Sequence, residues 1–123
     1  MLDVLVFGPH PDDAELGCGG AIIKATRKGL QVGIVDLTGG EMGTKGDKET
    51  RLKEAQKAKE ILGVKFRENL GFPDGYLGTG EKEEFILAIT NKIREFKPKI
   101  VLAPYWDDRH PDHIVASEMI TKA

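Results

Sequence analysis

A single cysteine, Cys18, among 123 residues leaves nothing to form an internal disulfide. The chain therefore reads as a resident of a reducing compartment, and Cys18 as a small buried residue and not a nucleophile. No charge of one sign dominates, since 18 Lys and Arg against 20 Asp and Glu leave a net charge of −2. The most basic stretch, residues 45–67, is interrupted by Asp47, Glu49, Glu54 and Glu60. Its spacing suits a solvated helix face with pairs such as Glu49–Lys53. Aromatic residues make up 7% of the chain, and no basic face interleaved with them offers a groove for nucleic acid. No run approaches the ~18 apolar residues of a membrane span, and Met1-Leu2-Asp3 does not open a secretion signal. Nucleic-acid and membrane partners are excluded on this reading, which expects a cytoplasmic protein. Asn and Gln are scarce beside Lys and Glu, a lean toward a heat-tolerant source. There is no G-x-S-x-G elbow and no G-x-x-x-x-G-K-[ST] loop, which counts against serine hydrolases and P-loop NTPases.

What is present is one domain's worth of chain. Four apolar runs, residues 2–8, 31–38, 64–70 and 99–105, alternate with amphipathic segments at 16–30, 48–62 and 81–96. In the second segment Leu52, Ala55, Ala58 and Leu62 fall on one stripe. In the third, Phe85, Ile86, Ile89, Ile93 and Phe96 do the same. A final amphipathic segment, 114–123, carries Ile114, Val115, Met119 and Ile120. Strands separated by such helices predict βαβ units and a Rossmann-like α/β sandwich with a mostly parallel sheet. The glycine-rich loops at 39–47 and 71–80 fall at carboxyl ends of strands, where open α/β sheets bind ligands. Gly17, Gly19 and Gly20 lack dinucleotide-loop spacing and read as a means for the first helix to approach the sheet closely.

The three histidines carry the chemistry. His10 lies in His10-Pro11-Asp12-Asp13, directly after the first strand, while His110 and His113 lie in His110-Pro111-Asp112-His113, after the fourth. In the strand order 3-2-1-4 these strands are neighbours, and two tetrads a hundred residues apart become one site. Two imidazoles and a carboxylate that leave one position open describe a catalytic Zn²⁺ or Fe²⁺ site. A further carboxylate can take a proton from water there. Spacing alone leaves open whether Asp12 or Asp13 is the ligand. Asp12-Asp13 also suits a helix cap, and Asp107-Asp108 suit loop carboxylates.

Pro9-His10-Pro11-Asp12-Asp13 with Glu15, and Arg109-His110-Pro111-Asp112-His113, resemble the two signatures of the LmbE-like zinc deacetylase superfamily, which includes the PIG-L enzymes. Residues 36–44 followed by Arg51 resemble its intervening motif. Residues 67–75 (RENLGFPDG) are similar to the bacillithiol-pathway subgroup, which deacetylates N-acetylglucosaminyl-malate. The resemblance implies that His10, Asp13 and His113 bind zinc and that Asp12 is the general base. It makes His110 the group that stabilises the tetrahedral intermediate or protonates the leaving amine. Asp112 would orient a histidine. Arg51, Glu41 and Arg109 would contact an N-acetylated amino sugar, and a homo-oligomer is implied by analogy. Family members continue for roughly as much chain again, so residues 1–123 are expected to be one deacetylase domain cut short at its C-terminus. A metal-dependent phosphoesterase and a non-catalytic metal-binding module are the competing expectations.

Overall fold

Each apolar run becomes a strand and each amphipathic segment a helix in the computed structural model, which describes residues 1–39, 48–72, 82–105 and 110–123. The order is β1 (Val4–Gly8), α1 (Asp13–Arg27), β2 (Val32–Thr38), α2 (Lys48–Leu62), β3 (Phe66–Phe72), α3 (Lys82–Phe96), β4 (Ile100–Leu102) and α4 (Pro111–Lys122). The sheet runs β3-β2-β1-β4 with every pairing parallel, the Rossmann-like order that joins the two histidine tetrads.

Strand alternation builds two cores. Leu5, Phe7, Val35 and Leu37 turn one way and pack with Ile89 of α3 and Ala116 and Met119 of α4. Val4, Val6, Val32 and Ile34 turn the other way, onto Ala14 and Ile22 of α1 and Leu62 of α2. Strands covered on both faces need unbroken apolar runs, and β1 and β2 are buried throughout. Glu49 and Lys53 pair at 3.4 Å on an exposed face of α2, as a solvated helix surface should.

Three expectations are corrected. Helix α1 begins at Asp13 and not at residue 16, because the backbone N–H groups of Asp12 and Asp13 bond back to the His10 carbonyl and close the turn early. Gly17, Gly19 and Gly20 do not allow close packing, since a Cβ at any of them would meet no described atom within 4 Å. Helix α1 is instead interrupted at Cys18, whose φ of −145° and ψ of 23° are not helical. In α4 the start at Pro111 turns Ile114 outward, and the buried apolar residues are Ala116, Met119 and Ile120, with Val115 packed beside them. Strand β4 is also short, and Ile100 and Val101 are exposed along it.

Gly33 is the glycine that close packing does require. Its register partner across the sheet is Phe66, and a Cβ on Gly33 would lie 2.3 Å from the tip of that ring. The ring has no easy retreat, because it stacks on Phe96 with centroids 4.2 Å apart. Gly33→Ala is expected to cost about 1–3 kcal/mol through overpacking, read as a lower midpoint in chemical denaturation.

Candidate metal centre

Where β1 and β4 end, side by side, their two tetrads meet. The first forms the turn into α1 and the second the start of α4, with His110 as N-cap and Pro111 in the first helical turn. Ring centroids of His10, His110 and His113 lie 4.7, 4.9 and 5.4 Å apart. Asp13 Oδ2 sits between two imidazoles, 3.0 Å from His10 Nδ1 and 3.1 Å from His113 Nε2. The other face of His10 meets the buried Asp112, with Nε2 3.1 Å from Oδ2.

This pattern determines which atoms are available to a cation. Each ring nitrogen of His10 faces a carboxylate that, ionised, only accepts: Asp112 beyond Nε2 and Asp13 beyond Nδ1. With the ring proton on Nε2, toward Asp112, Nδ1 would be left to share a cation with Asp13 Oδ2, 3.0 Å away. His10 Nδ1, Asp13 Oδ2 and His113 Nε2 form such a set, their ligand atoms all within 4.8 Å of one another. Tetrahedral bonds of about 2.0–2.2 Å place ligand atoms about 3.3 Å apart, so the residues present fit a zinc-like ion with little movement. A second grouping, His10, His110 and Asp112, shares His10, and the hydrogen bond from Nε2 to Asp112 accounts for it.

Asp12 takes no part in helix capping through its side chain. Its carboxylate faces Arg51 Nη2 at 3.3 Å instead. Burial lifts the Asp12 carboxyl above its ordinary range, the charge on Asp13 adds to the lift, and Arg51 opposes it. Burial works against the Asp13 charge as well, but the His10 hydrogen bond and the neighbouring His113 and His10 rings hold that carboxyl below its ordinary range. His110 Nδ1 accepts from the backbone N–H of Asp112 at 3.1 Å, which leaves Nε2 to carry the ring proton. Beside the centre lies a cleft of about 520 Å³ lined by Asp13, His113, Leu16, Cys18, Leu102 and Tyr105. Cys18 donates to the Ala14 carbonyl at 3.3 Å, and burial raises its thiol pKa further from reactivity.

The structure thus gathers His10, Asp12, Asp13, Arg51, His110, Asp112 and His113. Glu41 and Arg109 lie outside the described residues, as do Asp107, Asp108 and most of the loops at 39–47 and 71–80. Among the described residues no helix is long and apolar enough to cross a membrane.

Sequence reasoning did not assign a role to a buried ion-pair group next to the centre. Arg67 of β3 holds Asp36 of β2 through two bonds, Nε to Oδ2 at 2.7 Å and Nη2 to Oδ1 at 3.0 Å, and reaches Glu15 of α1 at 2.8 Å. Burial pushes the Asp36 carboxyl up to about 6 against the pull of Arg67, and Arg67 is held charged by its two carboxylates. The signal available was the alternation Val32-Ile34-Asp36, an acid placed where a buried strand face calls for an apolar residue.

Because imidazole and carboxylate ligands must be free of protons, cation binding at this centre should release protons and weaken as the pH falls. Isothermal titration with Zn²⁺ is expected to give one site, with affinity falling steeply between about pH 7 and pH 5, the range in which imidazoles take up protons.

The sequence model of the PIG-L family, described as GlcNAc-PI de-N-acetylase, matches residues 5–123. Diacetylchitobiose deacetylase of Thermococcus kodakarensis is 40% identical over 121 residues, covering 89% of this chain and 44% of that protein. A probable N-acetyl-alpha-D-glucosaminyl L-malate deacetylase 2 of Bacillus anthracis is 31% identical, covering 98% of this chain and 58% of its own. The crystal structure of the conserved protein TT1542 from Thermus thermophilus superposes with a TM-score of 0.89 at 51% identity, over 98% of this chain and 54% of that one. The chain therefore spans about half the length of the relatives it matches. With all but its first four residues inside the match, this chain belongs to the PIG-L family.

Proposed function

We propose that the protein is a metal-dependent N-deacetylase that hydrolyses the acetamide of an N-acetylglucosamine-type sugar, releasing acetate and the free amine. The observation that carries this reading is the convergence of His10 Nδ1, His113 Nε2 and Asp13 Oδ2 beside a carboxylate, Asp12, that is not bound into the cluster. His10, Asp13 and His113 would hold the cation, Zn²⁺ or Fe²⁺. When bound, that ion supplies Lewis acidity to water and to the amide carbonyl. Asp12 accepts the proton of the attacking water, the general-base task of a carboxylate beside the cation. His110, with its ring proton on Nε2, donates a hydrogen bond to the oxyanion, and the proton that Asp12 accepted passes to the departing nitrogen; alternatively the doubly protonated His110 ring supplies that proton. Asp112 keeps His10 in the tautomer that points Nδ1 at the cation. Arg51 orients Asp12 and lowers its proton affinity, and it also reaches substrate, with Glu41 and Arg109 assisting.

N-acetylglucosaminyl-malate is the substrate we favour, on the motif at residues 67–75 and the similarity to the Bacillus protein named for that substrate. Diacetylchitobiose is the nearest competitor, on the similarity to the Thermococcus enzyme. Among the described residues the two possible ligand groupings share His10 and make one centre, which favours amide hydrolysis over a two-metal phosphoesterase.

Zinc-loaded protein assayed for amine release should act on N-acetylglucosaminyl-malate in preference to N-acetylglucosamine and diacetylchitobiose. No amine from any of the three sinks the deacetylase reading. Asp13→Asn is expected to lose Zn²⁺, whereas Asp12→Asn keeps Zn²⁺ and loses turnover by ~10²–10⁴-fold, the range of a general base. Equal loss of zinc in both variants refutes the division of labour. Arg51→Met removes the charge that opposes protonation of Asp12, so the acid limb of its kcat/KM profile should move to higher pH. An unmoved limb argues against Asp12 as the base.

A further inference from the structure

The C-terminal end of the sheet carries a second polar layer, on the face toward α1 and α2. One guanidinium joins four elements there. Arg67 of β3 bonds Asp36 of β2 twice, Glu15 of α1 once, and the Ala55 carbonyl of α2 at 3.5 Å. Its side chain is 1% exposed, that of Asp36 2% and that of Glu15 26%. A buried ion pair of this kind contributes little net stability against apolar residues of similar volume. Its placement offers another reason for it. Asp36 lies against the turn that carries the ligands, since a Cβ on Gly8 would sit 3.2 Å from Asp36 Oδ1, 3.3 Å from the Ala14 nitrogen and 3.4 Å from the His10 carbonyl oxygen. Glu15 is two residues beyond Asp13 in the first turn of α1. The neighbouring rung works on the same turn: Thr38 bonds the Pro9 carbonyl through both N–H and Oγ1, at 3.1 and 2.9 Å, and Asn69 of β3 bonds the Thr38 carbonyl at 2.6 Å.

We propose that Arg67 is a positioning residue for the metal centre, holding the His10–Asp13 turn and the start of α1 so that the three ligand atoms stay convergent. It touches neither cation nor substrate and acts through Glu15 and Asp36. The planar fork is required, because one lysine ammonium cannot serve both carboxylates with the same geometry. The proposal rests on the cation-binding reading above.

The test is a Co²⁺ titration followed by visible absorbance, with thermal unfolding of the metal-free proteins in parallel. Glu15→Ala removes only the arm to α1 and should melt close to the wild-type temperature, yet bind Co²⁺ about 10-fold or more weakly, as is usual when support behind a ligand is lost. Glu15→Gln keeps an acceptor for Arg67 Nη2 and should restore most of that affinity. Failure of Gln to restore it overturns positioning in favour of a simple loss of charge near the ion. Arg67→Lys should bind Co²⁺ weakly even where it remains folded, and if it does not fold, the Glu15 pair decides. Affinity lost only in variants whose melting temperature has collapsed also overturns the proposal, as does wild-type affinity in Glu15→Ala. A wild-type protein that takes up no Co²⁺ sinks the metal centre itself, a separate outcome.

Discussion

The parallel pairing of Val4, Leu5 and Val6 with Ile100, Val101 and Leu102 is the contact on which the centre depends. Only three residue pairs long, it joins parts of the chain almost a hundred residues apart and sets both histidine tetrads at one edge of the sheet. Register matters as much as proximity. A slip of one residue would turn Val4 and Val6 out of one core and Leu5 out of the other, so two apolar layers hold the alignment that the site uses.

Two helix N-termini then converge on the same few ångströms, α1 from Asp13 and α4 from Pro111. Both present positive dipole ends, which would repel a dication were nothing set against them. Asp13 and Glu15 in the first turn of α1 and Asp112 in that of α4 supply the opposing charge. Carboxylates that a sequence reader can take for caps are in this fold bound to imidazole or guanidinium, while the helix ends are satisfied in other ways. In α4, the capping is done by the imidazole of His110.

The strands, the helices and the histidines at strand ends were readable from local signals, long apolar runs and amphipathic spacing. The order 3-2-1-4 was not; it was assumed because it makes one site of two tetrads, and it is the order found. Strand β3 was the weakest run for a physical reason. Arg67, Glu68 and Asn69 break its apolar pattern, and Arg67 is buried only because Asp36 and Glu15 come to meet it from distant positions. No window of sequence contains that pairing. The start of α1 was missed for a similar cause, since the turn closed on the His10 carbonyl depends on the turn's conformation more than on composition. The glycines of α1 were misread because glycine marks both close contact and open space, and a sequence cannot tell which. Choosing Asp13 over Asp12 as the ligand came from family resemblance; the geometry supplies an independent argument, with Asp13 between two imidazoles and Asp12 beside a guanidinium.

Strand β4 has a consequence for handling the protein. Among the described residues it pairs with β1 on one side alone, and Ile100 and Val101 are exposed along it. A half-paired strand offers main-chain donors and acceptors together with apolar side chains, the combination that recruits another chain by strand addition. Self-association of the 123-residue polypeptide on concentration would therefore start from the same short strand that joins the two histidine tetrads.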